Sequence, residues 1–257
     1  MFNEKKDSLF IPYMMAGEPT VDGSIQMALQ LQKNGADAIE LGVPFSDPVA
    51  DGPVIQRAGL RSLEKGMTLK KAIHLVKKMR QSGVHIPIIV FTYYNPVLQL
   101  GEDYFISLLL HSGADGALIP DLPYEESQSL KQAFKEHQLS LISLLAPTSE
   151  ERIERIAKEA EGFLYCISSL GVTGERQQFH HHLQSFVQTA KTYATVPVVI
   201  GFGVSSNEQV KTMNQMSDGV VIGSAIVHEI ERLTPLFQMD EKRAIEKFSL
   251  FIKQLIE

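Results

Sequence analysis

The chain has 257 residues, a hydrophobic fraction of 44% and a net charge of −6, with basic residues scattered rather than clustered. That balance excludes a nucleic-acid surface, and the lack of any apolar run near the ~18 residues of a membrane span excludes a transmembrane helix. The single cysteine, Cys166, excludes an internal disulfide and fits a reducing cytoplasm. Residues 1–7 are polar and charged, so no leader peptide is expected.

In chain order, short β-rich apolar runs fall at residues 9–15, 38–43, 86–93, 116–120, 139–145, 163–168, 197–203 and 219–223. Their continuous apolar character is what parallel strands covered on both faces show. Amphipathic helical stretches lie between them, at 24–33, 69–80, 103–111, 125–137, 150–159 and 207–216. Ser149 and Ser206 read as helix starts, while Asn34-Gly35-Ala36-Asp37, Gly113-Ala114-Asp115 and Ser217-Asp218-Gly219 read as turns into strands. Strand and helix alternating eight times predict a single α/β domain over 1–257, a (β/α)8 or TIM barrel; an open doubly wound sheet usually has fewer strands.

Chemistry in such a barrel sits at the C-terminal ends of the strands. Two acids fall there. Glu40 lies inside an apolar strand, where desolvation penalises the charged carboxylate, and Asp51 lies on the Pro- and Gly-rich loop that follows. Two carboxyls in unlike surroundings suit proton transfer. A salt-bridged core residue and an ordinary turn acid are the bland alternative. The last three strands end in Gly171-Val172-Thr173-Gly174, Gly201-Phe202-Gly203-Val204-Ser205 and Gly223-Ser224-Ala225. Backbone N–H groups in such turns, with a short helix predicted at 225–232, can hold a phosphate on an acidic protein.

None of the sixteen lysines lies in a predicted strand or at its C-terminal end, which disfavours a Schiff-base mechanism. His180, His181 and His182 follow one another on a helix, about 100° apart, and cannot easily converge on a metal. Cys166 reads as a small core residue. Tyr13, Phe91, Tyr93, Leu118 and Phe202 near the mouth read either as ordinary core or as the apolar wall that a flat aromatic phosphoester needs beside a phosphate site. The residues alone therefore predict a metal-free, lysine-free barrel enzyme that acts on a phosphorylated substrate through two carboxyls.

The run from Glu40 to Pro53, Glu-Leu-Gly-Val-Pro-Phe-Ser-Asp-Pro-Val-Ala-Asp-Gly-Pro, closely resembles the signature of the tryptophan synthase alpha subunit family. The resemblance continues in order through Asp121-Leu122-Pro123, Ser168-Ser169-Leu170-Gly171-Val172-Thr173-Gly174, Gly201-Phe202-Gly203 and Gly223-Ser224-Ala225. It implies a carbon–carbon lyase of tryptophan biosynthesis, cleaving indole-3-glycerol phosphate to indole and glyceraldehyde 3-phosphate. Glu40 and Asp51 would be catalytic. Tyr165 would stand near the reacting atoms, Thr173 would orient Asp51, and Gly174, Gly203, Gly223 and Ser224 would bind phosphate. Tyr13, Phe91, Tyr93, Leu118 and Phe202 would line the indole pocket. Three positions depart from the family pattern: Met15 where threonine is common, Tyr13 where phenylalanine is frequent, and Ser169 where some members carry arginine.

The resemblance also implies a cytoplasmic alpha2–beta2 complex. The beta subunit, docked on residues 48–59 and 95–101, would carry pyridoxal phosphate, with no cofactor in this chain. A free-standing indole-3-glycerol-phosphate lyase and a non-catalytic phosphate-binding subunit are the alternatives.

Overall fold

Side chains alternate across each strand, and the barrel follows from how that alternation is used. The computed structural model describes residues 8–167, 176–201 and 206–257. The strands are β1 (Leu9–Met15), β2 (Ile39–Gly42), β3 (Ile88–Phe91), β4 (Gly116–Leu118), β5 (Ser140–Leu141), β6 (Ser143–Leu145), β7 (Leu164–Ile167), β8 (Val198–Gly201) and β9 (Gly219–Ile222). All the pairings are parallel, in the order β5-β4-β3-β2-β1-β9-β8-β7-β6. β5 and β6 are the predicted run 139–145, interrupted at Ile142. The lower half pairs with β4 and the upper half with β7, so this strand is the seam at which an eight-stranded (β/α)8 barrel closes. Inward residues Leu9, Ile11, Ala38, Ile89, Leu118, Ile142, Phe163, Tyr165, Val199 and Val221 fill the interior. Outward residues join the helices in a second, larger core.

The helices are α1 (Val21–Lys33), α2 (Pro53–Glu64), α3 (Leu69–Gln81), α4 (Tyr94–Leu100), α5 (Glu102–Ser112), α6 (Gln128–Glu136), α7 (Glu150–Lys158), α8 (Arg176–Tyr193), α9 (Asn207–Asn214), α10 (Ser224–Met239) and α11 (Glu241–Ile256). Caps set several starts: Thr20 accepts from Gly23 N, and Ser206 from Gln209 N. α1 therefore begins three residues before the predicted stretch, and α6 begins three residues after it.

Two stretches read as docking loops are partly helical. Pro53 opens α2, where its missing N–H costs nothing, and α4 accommodates Pro96 in its first turn for the same reason. α10 runs well past residue 232, because Leu233 and Phe237 continue its buried stripe. The three histidines lie on α8, as expected. Among the described residues no helix is long and apolar enough to cross a membrane, and no three His, Cys, Asp or Glu side chains are grouped to hold a metal.

The turn tokens have a definite task at the base of the barrel. Asp37 accepts from Phe10 N (3.0 Å), Asp115 from Ile88 N (2.8 Å) and Asp218 from Val198 N (2.8 Å). Each carboxylate thus holds the backbone at the start of a neighbouring strand. Arg80 neutralises Asp115, and Lys191 neutralises the buried Asp218, each at 2.6 Å.

Candidate active site

Tyr13 and Glu40 are register partners on β1 and β2, and each lies two residues beyond an interior side chain, Ile11 and Ala38, so both point inward. Glu40 is 1% exposed, and its Oε1 has no hydrogen-bond partner among the described residues. Burial alone lifts its carboxyl from 4.5 to about 8, so it is protonated at neutral pH. Tyr13 from β1 leans onto Gly42 of β2, and Tyr165 from β7 leans onto Gly201 of β8. A Cβ at either glycine would overlap the tyrosine hydroxyl. The two phenols flank Glu40, and burial first, then nearby acids, holds both well above the usual phenol range.

Asp51 stands on the loop between β2 and α2. Its amide donates to Pro48 O (3.1 Å), and Gln56 Nε2 donates to its carbonyl (2.8 Å). Tyr93, 1% exposed beyond β3, accepts from Ala50 N (3.1 Å) and hydrogen-bonds the Asp51 carboxylate. Burial lifts Asp51 to about 6, while the Tyr93 hydrogen bond pulls the other way. The two acids therefore differ in charge at pH 7: Glu40 neutral, Asp51 ionised.

An aromatic wall encloses them. Phe91 meets Tyr13 edge-on (5.4 Å, 90°) and Tyr93 edge-on (6.4 Å, 82°), while Phe45 stacks on Tyr93 (5.1 Å, 29°). Leu118 is fully buried in the interior layer below. Next to Tyr13, at the end of β9, Gly223 and Ser224 open α10, with backbone N–H groups at a helix N-terminus that suits an anion. Thr173, Gly174, Phe202 and Gly203 lie outside the described residues. Beside the site, among the described residues, a cavity of about 390 Å³ runs under the loops after β4 and β6, past Pro120, Pro123, Leu144, Pro147 and Ile167. Neither Glu40 nor Asp51 lines it.

Sequence reasoning missed the contribution of α2. Val54, Ile55 and Ala58 pack with Tyr13, Met15, Phe91 and Val227 into an apolar floor beside the acids. The signal was available in Pro53 at a helix start, followed by small and apolar residues at three- and four-residue spacing. The site wall also includes Phe45, on the signature loop.

A parallel eight-stranded barrel with two carboxyls raised by burial and a helix N-terminus at one mouth is an enzyme-like member of the (β/α)8 class. The family model described as tryptophan synthase alpha chain matches residues 1–256. The tryptophan synthase alpha chain of Bacillus licheniformis is 53% identical, covering 98% of this chain and 97% of its own. That of Geobacillus stearothermophilus is 55% identical, covering 96% and 93%. Among solved structures, a tryptophan synthase complex from Pyrococcus furiosus superposes with a TM-score of 0.83 at 34% identity, covering 97% of this chain and 98% of that one. The alpha subunit from Legionella pneumophila gives 0.85 at 32%, covering 96% and 91%. The chain belongs to the tryptophan synthase alpha chain family, and is a lyase of tryptophan biosynthesis.

Proposed function

We propose that Glu40 and Asp51 carry out the family's lyase reaction, cleavage of indole-3-glycerol phosphate to indole and glyceraldehyde 3-phosphate. The observation that carries this reading is the unlike setting of two carboxyls that both act on Tyr13: Glu40 is buried, with an Oε1 unpartnered among the described residues, and lifted to about 8, while Asp51 is hydrogen-bonded by Tyr93 and lifted only to about 6. Indole is a poor leaving group until C3 of its ring is protonated. Glu40 gives its proton to C3, and positive charge develops on the ring nitrogen. The Asp51 carboxylate accepts the N–H and stabilises that charge. The C3–C1′ bond then breaks, the C1′ hydroxyl becomes the aldehyde, and its proton returns to Glu40. Net, one proton moves from oxygen to carbon, and Glu40 ends as it began.

Tyr13, Phe91, Tyr93 and Leu118 line the indole face, with Phe202 from outside the described residues, and Tyr165 stands beside the reacting atoms. Gly223 and Ser224 hold the phosphate, together with Gly174 and Gly203, while Thr173 orients Asp51. A beta subunit carrying pyridoxal phosphate docks on residues 48–59 and 95–101, where Val49 (83% exposed) and Leu98 (56%) present apolar side chains. The Pyrococcus furiosus complex supports such an assembly. This chain needs no cofactor of its own, and a cytoplasmic setting fits its lone thiol.

Glu40→Gln, assayed for indole release with and without a beta subunit, tests the reading. Cleavage should vanish while glycerol 3-phosphate still binds; retained turnover would sink the mechanism. A wild-type chain fully active alone, and unaffected by the partner, would make it a free-standing lyase.

A further inference from the structure

Helices α2 and α10 are tied to one another, and to the turn after β1, by a chain of five charged side chains. Glu18, on that turn, is 1% exposed and accepts from Arg61 Nε at 2.7 Å and from Lys65 Nζ at 2.5 Å. Arg61 also reaches the other way, its Nη1 donating to Glu231 Oε1 of α10 at 2.6 Å. Glu231 accepts in addition from Arg57, at 3.1 Å from Nη2 and 3.3 Å from Nε. The three cations stand at four-residue spacing along one face of α2 and its C-cap, Lys65, and the two acids come from two other elements.

The Arg61 contact is not the strongest a guanidinium can make. Two parallel bonds to one carboxylate would be stronger. Arg61 instead divides Nε and Nη1 between two carboxylates and leaves Nη2 buried without a hydrogen-bond partner among the described residues. An unsatisfied buried donor costs about 1–3 kcal/mol. What the arrangement secures is span: one rigid planar group fixes Glu18 and Glu231 relative to α2.

The placement of the two helices gives that span a purpose. α2 starts directly after the Asp51 loop, and α10 starts at Ser224. Their first turns meet: a Cβ at Gly223 would lie 3.4 Å from Ile55 Cδ1 and 3.6 Å from Tyr13 Cβ. Ala58 of α2 and Val227 of α10 continue the contact in the apolar floor. One turn further on, Arg61 and Glu231 close it with charge. The pair of helices therefore presents two N-terminal ends to the mouth, Asp51 ahead of one and Gly223 ahead of the other.

We propose that Arg61 is a positioning residue that fixes the separation between Asp51 and the anion cradle at Gly223 and Ser224, so that gripping a phosphate and aligning the Asp51 carboxylate are one coupled event. The proposal rests on the site reading above and deepens it: one two-helix unit holds the substrate at one end and activates it at the other. Arg61 touches no reacting atom and acts through α2. A lysine at this position keeps the charge but reaches only one of the two carboxylates, so charge alone does not restore the effect.

The test uses the full chain with Arg61→Lys, Arg61→Met and Glu231→Gln. Indole and glycerol 3-phosphate serve as probes of the two ends, alongside kcat and KM for indole-3-glycerol phosphate. In the wild type, saturating indole should tighten glycerol 3-phosphate binding at least fivefold, and by linkage the reverse factor is equal. In Arg61→Lys and Glu231→Gln that factor should fall to within twofold of unity. Affinity for glycerol 3-phosphate alone should change less than threefold, and kcat should drop at least tenfold. In an Asp51→Asn background, Arg61→Lys should lower kcat less than threefold further, because it acts through Asp51.

Undiminished coupling with near-normal kcat in Arg61→Lys and Glu231→Gln would overturn the proposal, as would a wild type in which the two probes bind independently. Should Arg61→Met fail to fold, Glu231→Gln, at a partly exposed site, still decides the matter. A wild type that shows the coupling but no cleavage would refute the reaction assignment and leave the role of Arg61 supported.

Discussion

Glu40 makes stability depend on pH in a way that one substitution removes. Its carboxyl titrates at about 8 in the folded protein, against 4.5 for the ordinary group. The folded state therefore holds this proton more tightly than the unfolded chain does. The stabilisation is complete below pH 4.5 and is lost as pH rises towards and through 8. Integrated between pH 6 and pH 9, Glu40 alone takes away about 3 kcal/mol, at about 1.4 kcal/mol per pH unit while only the unfolded chain is ionised. At this chain length that corresponds to roughly 6–12 °C in Tm. Glu40→Gln keeps the shape and removes the titration. Urea unfolding of both proteins at pH 6, 7, 8 and 9 isolates the contribution, because every other titrating group cancels in the difference. The variant should gain on the wild type by about 3 kcal/mol across that range. Parallel stability curves would mean that Glu40 is already ionised or solvated in the folded state, and the neutral-acid argument would fall.

The rate of cleavage should follow a bell in pH, with an acid limb near 6 where Asp51 ionises and an alkaline limb near 8 where Glu40 loses its proton. Tyr93→Phe removes the hydrogen bond that favours the Asp51 carboxylate, so the acid limb should move to higher pH; an unmoved limb would detach Asp51 from it. Gly42→Ala should lower kcat sharply and destabilise by about 1–3 kcal/mol, because the new Cβ displaces the Tyr13 ring; unfolding and turnover assays on one preparation check both. Cys166 is buried, with its thiol pushed up to about 12, so a disulfide reagent should label it only as fast as the protein unfolds. Rapid native labelling would contradict the packing.

The parts of the fold legible in the sequence were those with a local cause. The eight apolar runs, the glutamate among them and the polar turns each carry their signal within a few residues. α2 and α4 were hidden because Pro53 and Pro96 read as loop punctuation when each in fact sits in a helix's first turn. The break at Ile142 was invisible for a different reason: the run stays apolar, and only the change of partner from β4 to β7 divides it. Asp51 was legible as an acid on a loop, but its elevation to about 6 depends on burial that the loop acquires only in the folded chain. The Arg61 bridge joins residues 43 and 170 positions away, distances at which a single sequence carries no pairing signal.

The aspartates at the base close short circuits. Asp37 and Asp115 each reach back 27 residues, and Asp218 reaches back 20, so each clamp completes one strand-to-strand crossover, with one helix at Asp37 and Asp218 and two at Asp115, from its own chain segment. Closing loops of that size is entropically modest, and such units can form piecemeal. The mouth has no such independence: Glu40 and Tyr165 come from β2 and β7, on opposite sides of the seam at β5 and β6. The base can therefore be assembled while the pocket around Glu40 is still open to water and its carboxyl still acidic. The carboxyl of Glu40 therefore reaches its buried, raised state only when strands from both sides of that seam have met around it.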